Sequence, residues 1–232
     1  GRFKTIDGSG GWALWTEGAG RGNWYLTGEN IETAAGTGGA SSSVYFKPAG
    51  VQKLWLNVEE IFGGSVAAGY EVCITVATGK CSVNSQKVCA VEDTPAPRSL
   101  IDVQSGELWL TSQKITITNN QHFVWQSGGK AWIRNQHYED AGVGSSTRPY
   151  NYRVTGGTNN FQSGRANSFW GPWFKQEGGK LNIEDASIST FDTFQGSNVC
   201  LWITGGTNYI KNSRFISGSL FSVSNAAAGD LR

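Results

Sequence analysis

Carboxylates are the first place to look for chemistry in this chain. Cleavage of a glycosidic bond uses two of them about 5–10 Å apart, one held protonated and one ionised. Glu107, Glu139, Asp140, Glu177, Glu184, Asp185 and Asp192 are the candidates in the stretch read below as a solenoid. Glu184 and Asp185 are sequence neighbours, so within a strand they point to opposite faces and do not pair. Asp192 lies between two rings in Phe191-Asp192-Thr193-Phe194, and with Glu177 it makes the one pair worth weighing as catalytic. The two are 15 residues apart and meet only if the chain folds back within one coil. Solvated surface carboxylates are the competing and preferred reading. No catalytic residue is assigned.

Aromatic residues are the second candidate. Phe169-Trp170-Gly171-Pro172-Trp173-Phe174 is the densest cluster of rings in the sequence. Alternate strand residues face opposite ways, so some of these rings are expected to project outward. An outward patch of that size binds something. A subunit contact is the first use expected. Sugar stacking by Trp170 and Trp173, helped by Arg165, Asn167 and Lys175, is the second. Trp12-Ala13-Leu14-Trp15 and Trp24-Tyr25 read as the core of an N-terminal module, with a second carbohydrate platform as the alternative.

Other chemistries find little support. Cys73, Cys81, Cys89 and Cys200 contain no CxxC, and His122 and His137 lack ligand spacing, so neither a metal nor a cofactor is expected. A disulfide among the first three cysteines stays open. Gly18-Ala19-Gly20-Arg21-Gly22 lacks the Lys-Ser/Thr ending of a phosphate loop. Lys and Arg total 19 against 18 Asp and Glu, without a basic tract, which disfavours a nucleic-acid partner. No apolar run is long enough to insert in a membrane. The chain begins at Gly1 and has no methionine, which suggests a removed leader or a piece of a longer polypeptide.

The elements that must position these residues are strands. Thirty-two glycines, ten tryptophans and 16% charged residues describe a turn-rich all-β protein. Gly128-Gly129-Lys130-Ala131-Trp132-Ile133 returns as Gly178-Gly179-Lys180-Leu181-Asn182-Ile183, and Val154-Thr155-Gly156-Gly157-Thr158-Asn159-Asn160-Phe161 as Ile203-Thr204-Gly205-Gly206-Thr207-Asn208-Tyr209-Ile210. Each copy is a glycine turn followed by period-2 alternation, the signature of stacked coils. Turn glycines near 106, 128, 156, 178 and 205 predict five coils of a three-faced solenoid from about Ser99 onward. Ile117, Ile133, Ile183, Ile203 and Ile210 are expected in buried columns, and Asn119-Asn120 and Asn159-Asn160 at corners. Residues 1–94 show no fixed period and read as a β-sandwich or jelly-roll-like module. The prolines of 92–97 mark the boundary, with the solenoid at 98–232.

Units such as Gly179-Lys180-Leu181-Asn182-Ile183-Glu184-Asp185-Ala186-Ser187-Ile188 resemble those of right-handed parallel β-helix proteins. That fold is shared by pectate-lyase-like enzymes and bacteriophage tailspikes. The aromatic load and the preceding module are more similar to tailspikes and other virion surface proteins, although no catalytic motif of either group is matched. The resemblance implies a virion surface protein acting in assembly or host-glycan attachment. Its partners would be two further copies in a homotrimer, other virion proteins and cell-surface polysaccharide. A polysaccharide depolymerase and a purely structural capsid-decoration or fibre protein are the alternatives.

Overall fold

A computed structural model describes residues 2–4, 12–18, 23–32, 41–48, 52–63, 71–90, 99–117, 122–140, 152–168, 173–190, 199–216, 219–223 and 230–231. In chain order the strands are β1 (Arg2–Lys4), β2 (Trp12–Gly18), β3 (Trp24–Glu32), β4 (Ser41–Pro48), β5 (Lys53–Gly63), β6 (Glu71–Val76) and β7 (Lys80–Ala90). Then follow β8 (Ser99–Val103), β9 (Glu107–Ile117), β10 (His122–Gln126), β11 (Lys130–Asp140), β12 (Tyr152–Val154), β13 (Thr158–Ser168) and β14 (Phe174–Gln176). The last are β15 (Lys180–Glu184), β16 (Ser187–Thr190), β17 (Val199–Ile203), β18 (Thr207–Lys211), β19 (Arg214–Ile216), β20 (Ser219–Val223) and β21 (Asp230–Leu231).

Every strand pair among the described residues is parallel. One sheet runs β1-β3-β5-β7-β9-β11-β13-β15-β18-β21, with β16 beside β13 and β19 beside β16; the other runs β2-β4-β6-β8-β10-β12-β14-β17-β20. The chain thus visits each sheet once per turn, and the molecule is a parallel β-solenoid.

The solenoid does not start at Ser99. Among the described residues the N-terminal strands form no antiparallel sandwich: β3, β5 and β7 lead in register into β9, and β2, β4 and β6 lead into β8. Residues 92–97 lie outside the described residues, and strands on either side of them pair with each other. Lys53, Lys80 and Glu107 occupy one register position on three successive coils. These coils keep their length while their turn residues vary, which is why glycine spacing does not reveal them.

The long strands turn a corner. In β9, Leu108, Leu110 and Ser112 are buried, Gln113 is exposed and Ile115 is buried, so the inward phase shifts by one residue. The ladder skips at the same place: Ser112 pairs with Asn135 and Lys114 with His137, while Gln113 and Gln136 pass between. A one-residue slip swaps faces in a period-2 strand, so each long strand supplies two faces. In the later coils the corner opens outright between β15 and β16 and between β18 and β19. There Asp185 and Asn212 take left-handed φ of 48° and 47°, and Asn212 Nδ2 donates to Asp185 Oδ1 at 3.3 Å.

The opposite corner explains the paired glycines. Gly129 has φ of 62°, and a Cβ there would collide with the carbonyl oxygen of Gly106 on the coil below. Left-handed backbone and carbonyl contact together admit glycine alone. Inside, Ile133, Phe161, Ile183 and Ile210 form one column, with Ile133 and Ile183 buried and Ile210 partly so; buried Ile203 stands in the other sheet. Ile117 pairs with Asp140 at the strand ends.

Candidate functional site

Register places the outward residues of the larger sheet in columns. One column reads Tyr25, Trp55, Ser82, Trp109, Trp132, Asn160, Asn182 and Tyr209 along the solenoid axis. Parallel rungs are about 4.8 Å apart, close to the stacking distance of flat rings. Tyr25 and Trp55 stack at 4.4 Å between centroids and 2° between planes. Trp109 and Trp132 stack at 4.0 Å and 9°. This ladder faces solvent: Tyr25 is 71% exposed and Trp109 45%.

Polar columns flank the rings. On one side Lys80 Nζ pairs with Glu107 Oε2 at 3.2 Å, and the same carboxylate accepts from Trp109 Nε1 at 2.6 Å. Burial pushes the Glu107 carboxyl up, but the bonds from Trp109 and Lys80 and the charges of Lys80 and Lys130 outweigh it and hold it below its usual range. On the other side Asn84 Nδ2 donates to Asn57 Oδ1 at 2.9 Å. Further along the ring column itself, Asn182 Nδ2 donates to Asn160 Oδ1 at 2.6 Å. Two grooves run beside the rings. One, of about 680 Å³, follows the corner past Asn57, Asn84, Gln113 and Gln136; the other, of about 470 Å³, passes Trp109, Trp132, Asn160 and Asn182. Thr111 and Arg134 line both.

The residues singled out from the sequence lie elsewhere. Trp173 is fully buried, its Nε1 donates to the Ser189 carbonyl at 3.2 Å, and its ring packs on Tyr138 at 4.4 Å. It belongs to the core and is not available to stack on a ligand. Neighbouring Phe174 is buried too. Trp170 and Asp192 lie outside the described residues. Arg165 is exposed on β13 of the larger sheet, whereas Lys175 sits on β14 of the other, so the structure does not bring them to one strand face.

Glu177 is held by two cations. Arg153 Nε lies 2.6 Å from Oε2 and Lys175 Nζ 2.9 Å from Oε1. Burial raises its pKa, but those bonds and charges win and set it below the ordinary value. A carboxyl so held stays ionised, which does not suit the proton donor of a glycosidase. The two cations stand in a column between Trp125 and Trp202: Arg153 Cζ is 4.7 Å from the Trp125 ring and Lys175 Nζ 5.0 Å from that of Trp202. Asn159 and Asn160 are the second and third residues of β13, one inward and one outward, and cap no corner, while Asn119 and Asn120 lie outside the described residues.

Cys81, Cys89 and Cys200 are buried, and burial drives the Cys81 pKa up to about 12. The Cys89 thiol is likewise pushed up to about 12, first by burial and then by its bond to Glu60 Oε1 at 3.2 Å. Neither is a ready nucleophile. Among the described residues no group of His, Cys, Asp and Glu is placed to hold a metal ion. No helix long and apolar enough to cross a membrane occurs among them.

The fold and this outward face define a parallel β-solenoid carrying an exposed aromatic ladder beside a polar groove. Comparison of the chain with protein-family models, curated proteins and solved structures finds no match.

Proposed function

We infer that this chain is a glycan-binding β-solenoid, of the right-handed kind expected from the handedness of parallel crossovers. On this reading it serves as a virion surface protein of the tailspike type that attaches to host polysaccharide. The observation that carries the binding part is the solvent-facing ladder Tyr25–Trp55 and Trp109–Trp132 beside a groove lined by amides, hydroxyls and Arg134. Pyranose rings present C–H groups to aromatic faces and hydroxyls to amides, so a ring ladder with polar edges matches an extended sugar chain. The virion setting rests on the resemblance of the glycine-led coils to tailspike units. A homotrimer belongs to the same reading, with exposed Tyr209 and Ile216 as apolar surface for a partner. The depolymerase alternative is weakened by the ion pairs of Glu177, since Asp192 alone does not make an acid/base pair.

The test is a polysaccharide-retention assay with wild type, Trp109→Ala and Trp132→Ala. Loss of one stacking ring is expected to weaken retention roughly tenfold, or about 1.4 kcal/mol. Unchanged retention in both variants, with folded spectra, would remove this face from the reading. New reducing ends or unsaturated sugars after incubation would favour the depolymerase instead.

A further inference from the structure

The ladder has a gap. Trp55, Ser82 and Trp109 are consecutive members of the outward column, so two tryptophans face each other across a rung that carries a hydroxymethyl group. Tyr25 covers one face of Trp55, and Trp132 covers one face of Trp109. Among the described residues no ring stacks on the faces turned toward Ser82. Two rungs separate them by about 9.6 Å.

We propose that this gap is a clamp for a single pyranose ring, sandwiched between Trp55 and Trp109 with Ser82 as its floor. The proposal rests on the glycan-binding reading of the same face and names where the tightest contact is made. Width selects the occupant. Carbon atoms in contact sit about 3.5–4.0 Å apart, so two contacts account for about 8 Å and a chair's pucker and axial groups for the rest. A flat aromatic ring at the shorter distance would leave a gap on at least one side. The rim suits a sugar as well. Lys80 and Glu107 present an ion pair on one edge, and Asn57 and Asn84 present an amide pair on the other, which gives hydroxyls both donors and acceptors. Lys53 Nζ lies over the Trp55 ring, 5.7 Å from its centroid, and brings a positive charge to the clamp.

Filling the gap is the decisive variant. Ser82→Trp supplies the missing ring and turns two stacked pairs into one unbroken ladder, so the fold is kept while the slot is closed. Tryptophan indole N–H signals would be followed by NMR during titration with cellohexaose, maltohexaose and a hyaluronan hexasaccharide. The first two are neutral and the third acidic, so their order of affinity reports the part played by Lys53 and Lys80. Wild type is expected to show saturable shifts at Trp55 and Trp109, and Ser82→Trp to weaken binding roughly tenfold or more while melting no lower than wild type. Trp55→Ala, which opens one wall, is the second variant and should lose binding similarly.

Binding to wild type that survives Ser82→Trp and Trp55→Ala but fails in Trp132→Ala overturns the clamp and leaves the glycan-binding face standing. Absence of any shift with all three sugars overturns both.

Discussion

At the scale of single residues, the surface carboxylates are set by their cationic neighbours. Glu60 pairs with Lys87 Nζ at 2.7 Å, Glu107 with Lys80 and Glu177 with Arg153 and Lys175. In each, burial pushes the carboxyl up, and the bonds and charges of the partners more than reverse it. A folded-state pKa below the ordinary 4.5 means these groups add stability above that pH and lose it as pH falls through the lower folded values. Urea midpoints should therefore hold steady from pH 7 to about 5 and drop below 4.5. Glu177→Gln should lower the midpoint at pH 7 and flatten the acid fall. A midpoint that rises on acidification would contradict the ion-pair assignment. These same pairs make Glu177 a structural carboxylate, which its place between Lys175-Gln176 and the Gly178-Gly179 turn did not disclose, because Arg153 comes from the neighbouring coil.

At the scale of elements, the repeat builds two versions of one buried polar pair. Gln126 is fully buried; its Nε2 donates to the Gly128 and Thr158 carbonyls at 3.1 and 3.0 Å, and its Oε1 accepts from Asn159 Nδ2 at 2.7 Å. The hydroxyl of Tyr152 is Asn159's second partner. One repeat later, Gln176 and Asn208 take the same places, but Leu201 stands where Tyr152 stood. There neither amide atom of Asn208 finds a protein partner. Leu181 occupies the same column between the two asparagines, so the column accepts leucine. Asn159→Leu should cost about 1–3 kcal/mol by stranding Gln126 and Tyr152, whereas Asn208→Leu should be neutral or stabilising. Denaturant unfolding of both variants measures the difference, and equal losses would refute it. The glycine doublets and the alternation after them made the coils from Glu107 onward legible, and Ile133 and Ile183 are buried as that pattern requires. The earlier coils were also written in the chain, as Lys53-Leu-Trp-Leu-Asn, Lys80-Cys-Ser-Val-Asn and Glu107-Leu-Trp-Leu-Thr at one register. Their turns lack the doublet, so period-2 runs with irregular glycines resembled hairpins. The aromatic ladder stayed hidden for a related reason. Tyr25, Trp55, Trp109 and Trp132 are far apart in sequence, and only the coil length brings them together. The local cluster at 169–174 drew attention because its rings are adjacent, yet Trp173 and Phe174 turn inward to fill the core.

At the scale of the whole molecule, each coil touches its neighbours above and below, so stability is close to a sum of coil and interface contributions. Such an architecture tolerates removal of a whole repeat but not of a fraction. Gly129 and Gly179 occupy equivalent corners, with φ of 62° and 70°. Joining Gly129 to Lys180 would remove residues 130–179 and bring β15 onto β9 and β17 onto β10. Lys180 would then take the place of Lys130 opposite Glu107, and Leu181 that of Ala131 opposite Leu108. The excised chain should fold cooperatively, with a smaller denaturant slope because less surface is buried. It should also keep the Trp55–Ser82–Trp109 gap, which lies wholly on the N-terminal side of the cut. Removing 130–157 instead would join the same corners but leave Gln126 beneath a coil that lacks the glutamine–asparagine alternation in phase, and should cost more per residue removed. Circular dichroism and urea unfolding of the two deletions decide between these outcomes. An unfolded 130–179 deletion would show that the coils depend on long-range order beyond their neighbours, and the two-coil repeat would lose its standing as the folding unit.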